Sequence, residues 1–303
     1  MKHLEASFIG KNQVWRYLVM IVAVVLAANT VGAIPIVFFY IKALVTDPGA
    51  AESFSANPSD VTLLGVGPVT GVFLMLIPFL AMFFAYKLLV KPLNERSFMQ
   101  TINGSDKFRW NRFFSSALLW AALSALYLFL YIGVEPENFR LNNSGQSLIP
   151  LIIVTFILIP FQSGSEELLM RGYLMQGFYR LVNRRWFPLV MTSLVFALLH
   201  SFNPEVRDFG FLTMMPNYFL FGLVFGLATI LDDGAEVAMG AHIANNFFLS
   251  VMVTHKSSAL QTPAVYEQLN IHPWTEFAGL LLMSAIFLIV LRWKFRWKTG
   301  FAS

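Results

Sequence analysis

Long apolar runs separated by short polar segments extend along almost the whole chain. A helix needs roughly 20 apolar residues to cross the hydrocarbon core of a bilayer, and the runs predict eight such helices. The fourth run is too long for a simple span, so we expect it to continue beyond the membrane or to break at residues 163–165. The fifth run is short. The predicted spans lie near residues 17–44, 67–90, 113–133, 148–182, 187–202, 212–231, 236–254 and 274–293.

Composition agrees with a membrane-embedded chain. Hydrophobic residues make up 57% of the sequence and charged residues only 13%, whereas soluble domains carry about 25% charged residues. The chain has no cysteine, which excludes disulfides, thiolate metal sites and a cysteine nucleophile. The predicted fold class is therefore all-α, a polytopic transmembrane helix bundle of about eight spans.

Basic residues are distributed unevenly among the segments between these runs. With the N-terminus inside and eight spans, 16 of the 21 lysines and arginines fall in inside segments and four in outside segments, and Arg171 lies within the fourth run. Because lysine-rich and arginine-rich loops stay in the cytoplasm, both termini are predicted to be cytoplasmic. This topology places Gln100 and Ser303 inside and Asn143 and Ser257 outside. It also explains the net charge of +4, so we expect no nucleic-acid partner.

The predicted spans divide the chain into three parts. Residues 1–147 form an N-terminal three-helix transmembrane region with a cytoplasmic connector. Residues 148–254 form the core that carries the candidate chemistry. Residues 255–303 supply the last external loop, the final transmembrane helix and a basic cytoplasmic tail.

Two adjacent acids and an arginine interrupt the apolar fourth run. On a helix, Glu167 and Arg171 share a face in the favourable acid-before-base order, whereas Glu166 is rotated about 100° away. Arg171 can therefore neutralise Glu167 and leave Glu166 free to act as a base. The structural alternative is a helix end, where Ser165 caps and both acids stabilise the N-terminus. Acids within a membrane are expensive, which favours a functional interpretation.

Phe196 and His200 are four residues apart on the next predicted helix, so the phenyl ring can lie beside the imidazole. A lone histidine near a helix end is more often an interfacial or hydrogen-bonded core residue. The depth of His200 in the membrane favours a functional role instead. Glu166 lies 18 residues before Arg184, and His200 lies 15 residues after Arg185. At about 1.5 Å per residue, both lie about 20–27 Å from the same arginine turn. An antiparallel hairpin can therefore bring Glu166 and His200 together.

His242 and Asn246 share one face of the seventh predicted helix. An imidazole and an amide that project together are suitable donors to a developing oxyanion. The structural alternative is a polar pair that joins packed helices by hydrogen bonds. Asn245 points away from that face and is the weaker candidate.

Signatures of other intramembrane proteases are missing from the sequence. It contains no Gly-x-Ser-Gly for a rhomboid-like serine and no Gly-x-Gly-Asp for an aspartyl protease. Asp232 and Asp233 fall in a short loop at the cytoplasmic edge, where we expect both to be solvated and to have no catalytic role.

Together these patterns resemble those of the CAAX prenyl protease type II and bacteriocin-processing (CPBP) intramembrane endopeptidases, also called abortive-infection-like proteins. That family carries Glu-Glu-x-x-x-Arg, Phe-x-x-x-His and His-x-x-x-Asn in this order. The three patterns lie on separate predicted helices, and the resemblance covers residues 148–254. It implies a bundle of about eight helices with a polar cavity open towards the cytoplasmic side.

The resemblance also implies roles for individual residues. Glu166 would be the general base that activates water, and His200 would help to bind and orient that water. His242 and Asn246 would stabilise the tetrahedral oxyanion. The remaining motif residues would support the architecture of the site: Glu167, Arg171 and Phe196.

The mechanism could be zinc-dependent or could use the glutamate without a metal. Glu166, His200 and His242 could ligate zinc and leave one position open for water. The sequence has no His-Glu-x-x-His, and Asn246 is a poor zinc ligand. We therefore expect no metal or other cofactor, with a glutamate-type mechanism preferred over a zinc-dependent one.

The expected partners are membrane lipid and a peptide or membrane-protein substrate. We expect a multi-pass protein of a bacterial cytoplasmic membrane. A different class of function would use the same polar cavity, namely a non-catalytic scaffold or bacteriocin-immunity protein that binds a peptide there. A proton-coupled transporter would also explain buried acids and histidines, but no paired inverted halves are evident.

Overall fold

The computed structural model describes residues 2–142 and 145–297, so Asn143 and Ser303 lie outside the described residues. Three short 3₁₀ helices lie at Ala6–Phe8, Val61–Leu64 and Pro136–Asn138. The predicted all-α fold class is confirmed. The α-helices are α1 (Lys2–Glu5), α2 (Val14–Asn29), α3 (Ile34–Thr46), α4 (Pro48–Ala56), α5 (Pro68–Asn94), α6 (Phe98–Asn103), α7 (Trp110–Val134), α8 (Gly145–Glu167), α9 (Met175–Leu181), α10 (Trp186–Leu199), α11 (Pro204–Phe209), α12 (Phe211–Asp232), α13 (Glu236–Met252) and α14 (Pro273–Phe295).

All eight predicted spans are helical, but their lengths differ. Five helices are long and apolar enough to cross a bilayer, namely α5, α7, the continuous helix Ser147–Leu181, α12 and α14. The first predicted span is instead a pair, α2 and α3, bent by 40°. α10 and α13 have 14 and 17 residues, about 21 and 26 Å, which is shorter than the roughly 30 Å hydrocarbon core. The multi-pass helical bundle is confirmed, and α10 and α13 are shorter than a simple span.

The bend between α2 and α3 has a local cause. α3 carries Pro35 in its first turn, where the missing N–H of proline is tolerated but from which a preceding helix cannot continue regularly. Gly32 lies in the break, and a Cβ there would be 2.5 Å from the Cα of Pro78 on α5. Close contact with α5 therefore accompanies the bend that the apolar pattern did not reveal.

The fourth predicted span is one continuous helix with an irregular turn. α8 passes through residues 163–165 without a break, so the expectation of a break there is wrong, and the helix Ser147–Leu181 runs for 35 residues. The helix becomes a π-helix at Leu168–Leu174 before α9 begins. π-helical turns are rare and frequently occur at functional sites. This one contains Arg171 and directly follows Glu167.

A small three-stranded sheet was not predicted from the sequence. β1 (Phe139–Leu141) pairs antiparallel with β3 (Tyr266–Gln268), and β2 (Val253–Thr254) pairs parallel with β3. Arg140 and Glu267 form an ion pair across the sheet. Because β2 follows α13 directly, the sheet ties the end of α13 to the segments after α7 and before α14.

α13 packs against α7, α8 and α12 and so lies inside the bundle. A Cβ at Gly240 would lie 2.2 Å from the carbonyl oxygen of Phe113 on α7, so this contact requires glycine. On the same interface Trp120 is fully buried against Phe225 and Phe287. Close packing on this side holds the polar residues of α13 at a fixed depth.

The expectation that Asp232 is solvated is wrong. Its side chain is buried, lies 3.1 Å from a terminal nitrogen of Arg109 and 3.4 Å from one of Arg112, and accepts a hydrogen bond from the indole of Trp297. A buried carboxylate needs such partners. Arg109 precedes α7, Arg112 lies in its first turn and Trp297 follows α14. All three are distant from Asp232 in sequence, so local patterns did not reveal them.

Asp233 also has a structural contact. It adopts the left-handed conformation with φ 56° at the end of α12, which aspartate tolerates better than most residues. Its carboxylate accepts hydrogen bonds from the backbone N–H groups of Lys2 and His3, at 3.0 Å each. The N-terminal helix α1 is thereby attached to the end of α12.

We expect cysteines at exposed positions 106 and 256 to report opposite sides of the membrane. Asp106→Cys should react with an impermeant maleimide only after cells are permeabilised, and Lys256→Cys should react in intact cells, because basic segments stay in the cytoplasm. The parent chain has no cysteine and is the unlabelled control. Labelling of Asp106→Cys in intact cells would contradict the predicted topology.

Candidate active site

Glu167 and Arg171 form a fully buried ion pair within the long helix. A terminal nitrogen of Arg171 lies 3.0 Å from Oε1 of Glu167, as the four-residue spacing predicts. The other terminal nitrogen donates to the backbone carbonyl of Gly222 on α12 at 3.2 Å. The guanidinium carbon also lies 4.7 Å from the ring centre of Phe196. One arginine therefore contacts three helices.

The same oxygen of Glu167 joins α8 to α13. Nδ1 of His242 lies 2.7 Å from Oε1 of Glu167, a short distance typical of a hydrogen bond to an ionised group. A carboxylate oxygen in this contact accepts, so Nδ1 of His242 carries the proton. Nε2 of His242 is then the ring nitrogen that faces the remaining polar groups.

Glu166 points away from Arg171, as its rotation on the helix predicts. Its Oε1 accepts a hydrogen bond from Nε2 of Gln162 at 2.6 Å. Its Oε2 lies 3.6 Å from Nε2 of His242 and, within the described part of the chain, is buried without a hydrogen-bond partner. The side chain is 18% exposed. One carboxylate oxygen is thus held in place while the other faces the polar side of the site.

His200 is fixed between two aromatic rings. Its Nδ1 donates to the backbone carbonyl of Phe196 at 2.7 Å, which leaves Nε2 as an acceptor in the neutral ring. The imidazole lies 4.5 Å from the ring of Phe196 and stacks on Tyr218 at 4.5 Å. Glu166 is close enough to interact electrostatically with His200. Among the described residues the two share a site without a direct hydrogen bond.

Asn246, on α13, contacts Gln162, Ser163 and His242. Its amide nitrogen donates to Oε1 of Gln162 at 2.9 Å and to Oγ of Ser163 at 3.1 Å. It also lies 3.2 Å from Nε2 of His242, which accepts because Nδ1 carries the proton. The structure therefore brings Glu166, His242 and Asn246 together, and Gln162 connects the first to the last.

Several neighbours of the site were not predicted. Gln162 lies four residues before Glu166, a spacing that places both side chains on one helix face, so this contact had a signal in the sequence. Tyr218 had none, because its ring reaches His200 from α12. Asn245 points away as expected, but its amide nitrogen donates to Oδ1 of Asn246 at 2.9 Å.

The N-terminal segment holds the backbone of the π-helical turn. Nε2 of His3 donates to the carbonyl oxygen of Arg171 at 2.9 Å, and Nε2 of Gln176 donates to the carbonyl of His3 at 2.9 Å. Burial lowers the pKa of His3 to about 4, so its ring is neutral at physiological pH. The backbone carbonyl of Arg171, whose side chain pairs with Glu167, thus has a hydrogen-bond donor.

In the described residues, the three alternative zinc ligands are not grouped around a common point. Zinc would need Glu166, His200 and His242 to direct one oxygen and two ring nitrogens at a common point. Over residues 2–142 and 145–297, no group of three or more histidine, aspartate or glutamate side chains is arranged to hold a metal ion. His200 is instead held by stacking, and Nε2 of His242 faces the amide of Asn246.

The comparison with protein families agrees with these motifs. Residues 145–248 match the family model described as type II CAAX prenyl endopeptidase Rce1-like. All seven predicted site residues lie within the matched segment, and the resemblance inferred from their spacing is confirmed. The match supports a CAAX-type intramembrane protease acting on a peptide or protein in a membrane.

A relative shares most of the chain. The uncharacterized protein YyaK of Bacillus subtilis (strain 168) is 26% identical over 286 residues, which cover 94% of this chain and 93% of the relative. The similarity therefore extends beyond the Rce1-like region into the first helices and the last. No solved structure gives a significant match.

Proposed function

We propose that the protein is an intramembrane endopeptidase of glutamate type that hydrolyses a peptide bond in a membrane-associated substrate. The observation that carries the proposal is the position of Glu166. One oxygen of its carboxylate is held by Gln162, and the other is buried and lies 3.6 Å from His242. A carboxylate with one anchored and one unpaired oxygen is suited to bind and deprotonate a water molecule.

In the first step, Oε2 of Glu166 takes a proton from water while the water oxygen attacks the scissile carbonyl carbon. Nε2 of His200 is an acceptor for the second water proton and would orient the nucleophile. The carbonyl π electrons move to the oxygen, which becomes the oxyanion of a tetrahedral intermediate. The step needs no group other than water, substrate and these side chains.

Donors for the oxyanion come from α13. The amide nitrogen of Asn246 carries two protons and can turn one from its present acceptors to the oxyanion. His242 donates through Nε2 only when doubly protonated, and Glu167 at 2.7 Å from Nδ1 would stabilise that imidazolium. Preorganised donors of this kind are typically worth 10²–10³ in kcat.

In the last step, protonated Glu166 returns its proton to the leaving nitrogen as the carbon–nitrogen bond breaks. The products are a carboxylic acid and an amine, and Glu166 is again a carboxylate. His200 and Phe196 form one wall of the site, and the contact of Glu167 with His242 holds α8 against α13. We place this activity in a bacterial cytoplasmic membrane, consistent with the relative from Bacillus subtilis.

Substitutions of the two adjacent glutamates should have different effects, one on cleavage and the other on stability. Glu166→Gln keeps the contact with Gln162 but removes the base, so cleavage of a pool of fluorescent, lipid-anchored peptides should be lost while unfolding free energy changes by less than about 1 kcal/mol. Glu167→Gln leaves Arg171 buried without a charge partner and should lower stability by about 3–5 kcal/mol. Peptide cleavage and thermal unfolding in detergent measure both effects.

The matched control is Glu52→Gln, which changes an exposed acid on α4, outside the site. It should retain cleavage. If wild-type protein cleaves nothing while still binding the peptides, the non-catalytic scaffold or immunity function is correct. Equal destabilisation by Glu166→Gln and Glu167→Gln would show that Glu166 is a structural acid.

Activity should survive rigorous chelation. Glu166 and His200 position water without a Lewis acid, and donors from His242 and Asn246 stabilise the oxyanion. A catalytic zinc typically needs three protein ligands and one open position. Elemental analysis of active protein should therefore find far less than one zinc per chain. Stoichiometric zinc, removed together with activity and restored together with it, would disprove the metal-free mechanism.

A further inference from the structure

Three side-chain amides link the buried indole of Trp120 to the carboxylate of Glu166. Nε1 of Trp120 donates to Oδ1 of Asn245 at 3.1 Å, and Nδ2 of Asn245 donates to Oδ1 of Asn246 at 2.9 Å. Nδ2 of Asn246 donates to Oε1 of Gln162 at 2.9 Å, and Nε2 of Gln162 donates to Oε1 of Glu166 at 2.6 Å. The chain crosses from α7 through α13 to α8.

The direction of this chain is fixed at both ends. An indole N–H can only donate, so the oxygen of Asn245 must face Trp120 and its nitrogen must face Asn246. At the other end Oε1 of Glu166 accepts, so Gln162 must present its nitrogen there and its oxygen to Asn246. Both constraints give Asn246 the same orientation. Its nitrogen, the donor group, faces the site and its oxygen faces away.

We propose that Trp120, Asn245 and Gln162 are positioning residues that set the amide orientation of Asn246 and anchor Glu166 for catalysis. The inference deepens the proposed function and rests on it. It assigns a role to Asn245, which points away from the reacting groups, and to Trp120, which is separated from Asn246 by one amide and from Glu166 by three. Neither residue touches the substrate in this account.

Asn245→Asp should reverse the chain. One carboxylate oxygen would still accept from Trp120, but the other would face Asn246 and require a donor. Asn246 would then turn its nitrogen towards position 245 and its oxygen towards Gln162. Two oxygens would meet there unless Gln162 also turned, which would place its oxygen against Glu166. Replacing one nitrogen by oxygen at position 245 would thus misdirect both the amide of Asn246 and the carboxylate of Glu166.

The expected kinetic signature is a fall in kcat with KM nearly unchanged, because the affected groups act mainly on the transition state. For Asn245→Asp we expect a loss of about 100-fold, the scale of losing one oxyanion donor. Trp120→Phe leaves Asn245 free to choose either orientation and should reduce kcat by about five- to tenfold, the scale of one hydrogen bond. The pool of fluorescent lipid-anchored peptides is the probe.

Packing and hydrogen bonding at Trp120 can be separated. Phe287 lies 5.0 Å from the Trp120 ring, is fully buried and makes no polar contact with the chain of amides. Phe287→Leu disturbs the same apolar cluster, so it should lower stability without lowering kcat. If Trp120→Phe folds poorly, benzothienylalanine at position 120 keeps the bicyclic shape and removes only the N–H. It should show the same five- to tenfold loss.

A readout besides cleavage distinguishes this inference from the proposed function. In protein labelled with ¹⁵N-asparagine, the side-chain signals of Asn246, assigned by their loss in Asn246→Ala, should shift in Trp120→Phe and Asn245→Asp but not in Phe287→Leu. Absence of cleavage by wild-type protein with these shifts intact would defeat the proposed function and leave the orientation of Asn246 supported.

Either of two results would overturn the inference for the whole chain of amides, and a third would overturn it for Trp120. One is wild-type kcat in both Asn245→Asp and the benzothienylalanine protein. The other is unchanged Asn246 signals in both. A loss of kcat in Phe287→Leu equal to that in Trp120→Phe, with normal kcat in the benzothienylalanine protein, would likewise assign Trp120 to packing alone.

Discussion

The rest of the site depends on one interaction, namely the contact of the buried Glu167 carboxylate with both Arg171 and His242. An unpaired charge at that depth would be strongly destabilising, so the carboxylate, guanidinium and imidazole have to come together when the helices pack. This requirement fixes α8 against α13. It also fixes the proton of His242 on Nδ1, because the carboxylate accepts there. Nε2 of His242 is consequently directed towards Glu166 and Asn246.

The surrounding structure holds the contact between Glu167 and His242 in place. Glycine at position 240 lets α13 approach α7 closely, and the π-helical turn after Glu167 is held through its Arg171 carbonyl by His3. At the C-terminal end of α12 and the N-terminal end of α13, Asp232 and Glu236 are buried against Arg109. The polar site is thus bordered by an apolar bundle on one side and by a second, structural set of ion pairs on the other.

Local patterns revealed the parts of this arrangement that depend on helix periodicity. The four-residue spacings correctly placed Arg171 on Glu167 and Phe196 on His200, and apolar runs located every long helix. Contacts between residues distant in sequence had no comparable signal. The partners of Asp232 come from the connector and from Trp297, and Tyr218 reaches His200 from another helix. The short length of α10 was visible in its apolar run, whereas the bend before α3 arises at Gly32 and Pro35 and was not.

The most direct test of the account is the protonation of His242 in ¹⁵N-histidine-labelled protein. The chain has five histidines, and the His242 signals are identified by their loss in His242→Gln. The account predicts that Nδ1 is protonated whether the ring is neutral or charged, with a strongly deshielded proton from the short hydrogen bond to Glu167, and that Glu167→Gln removes this deshielding. A neutral ring protonated on Nε2, with Nδ1 unprotonated, would contradict it.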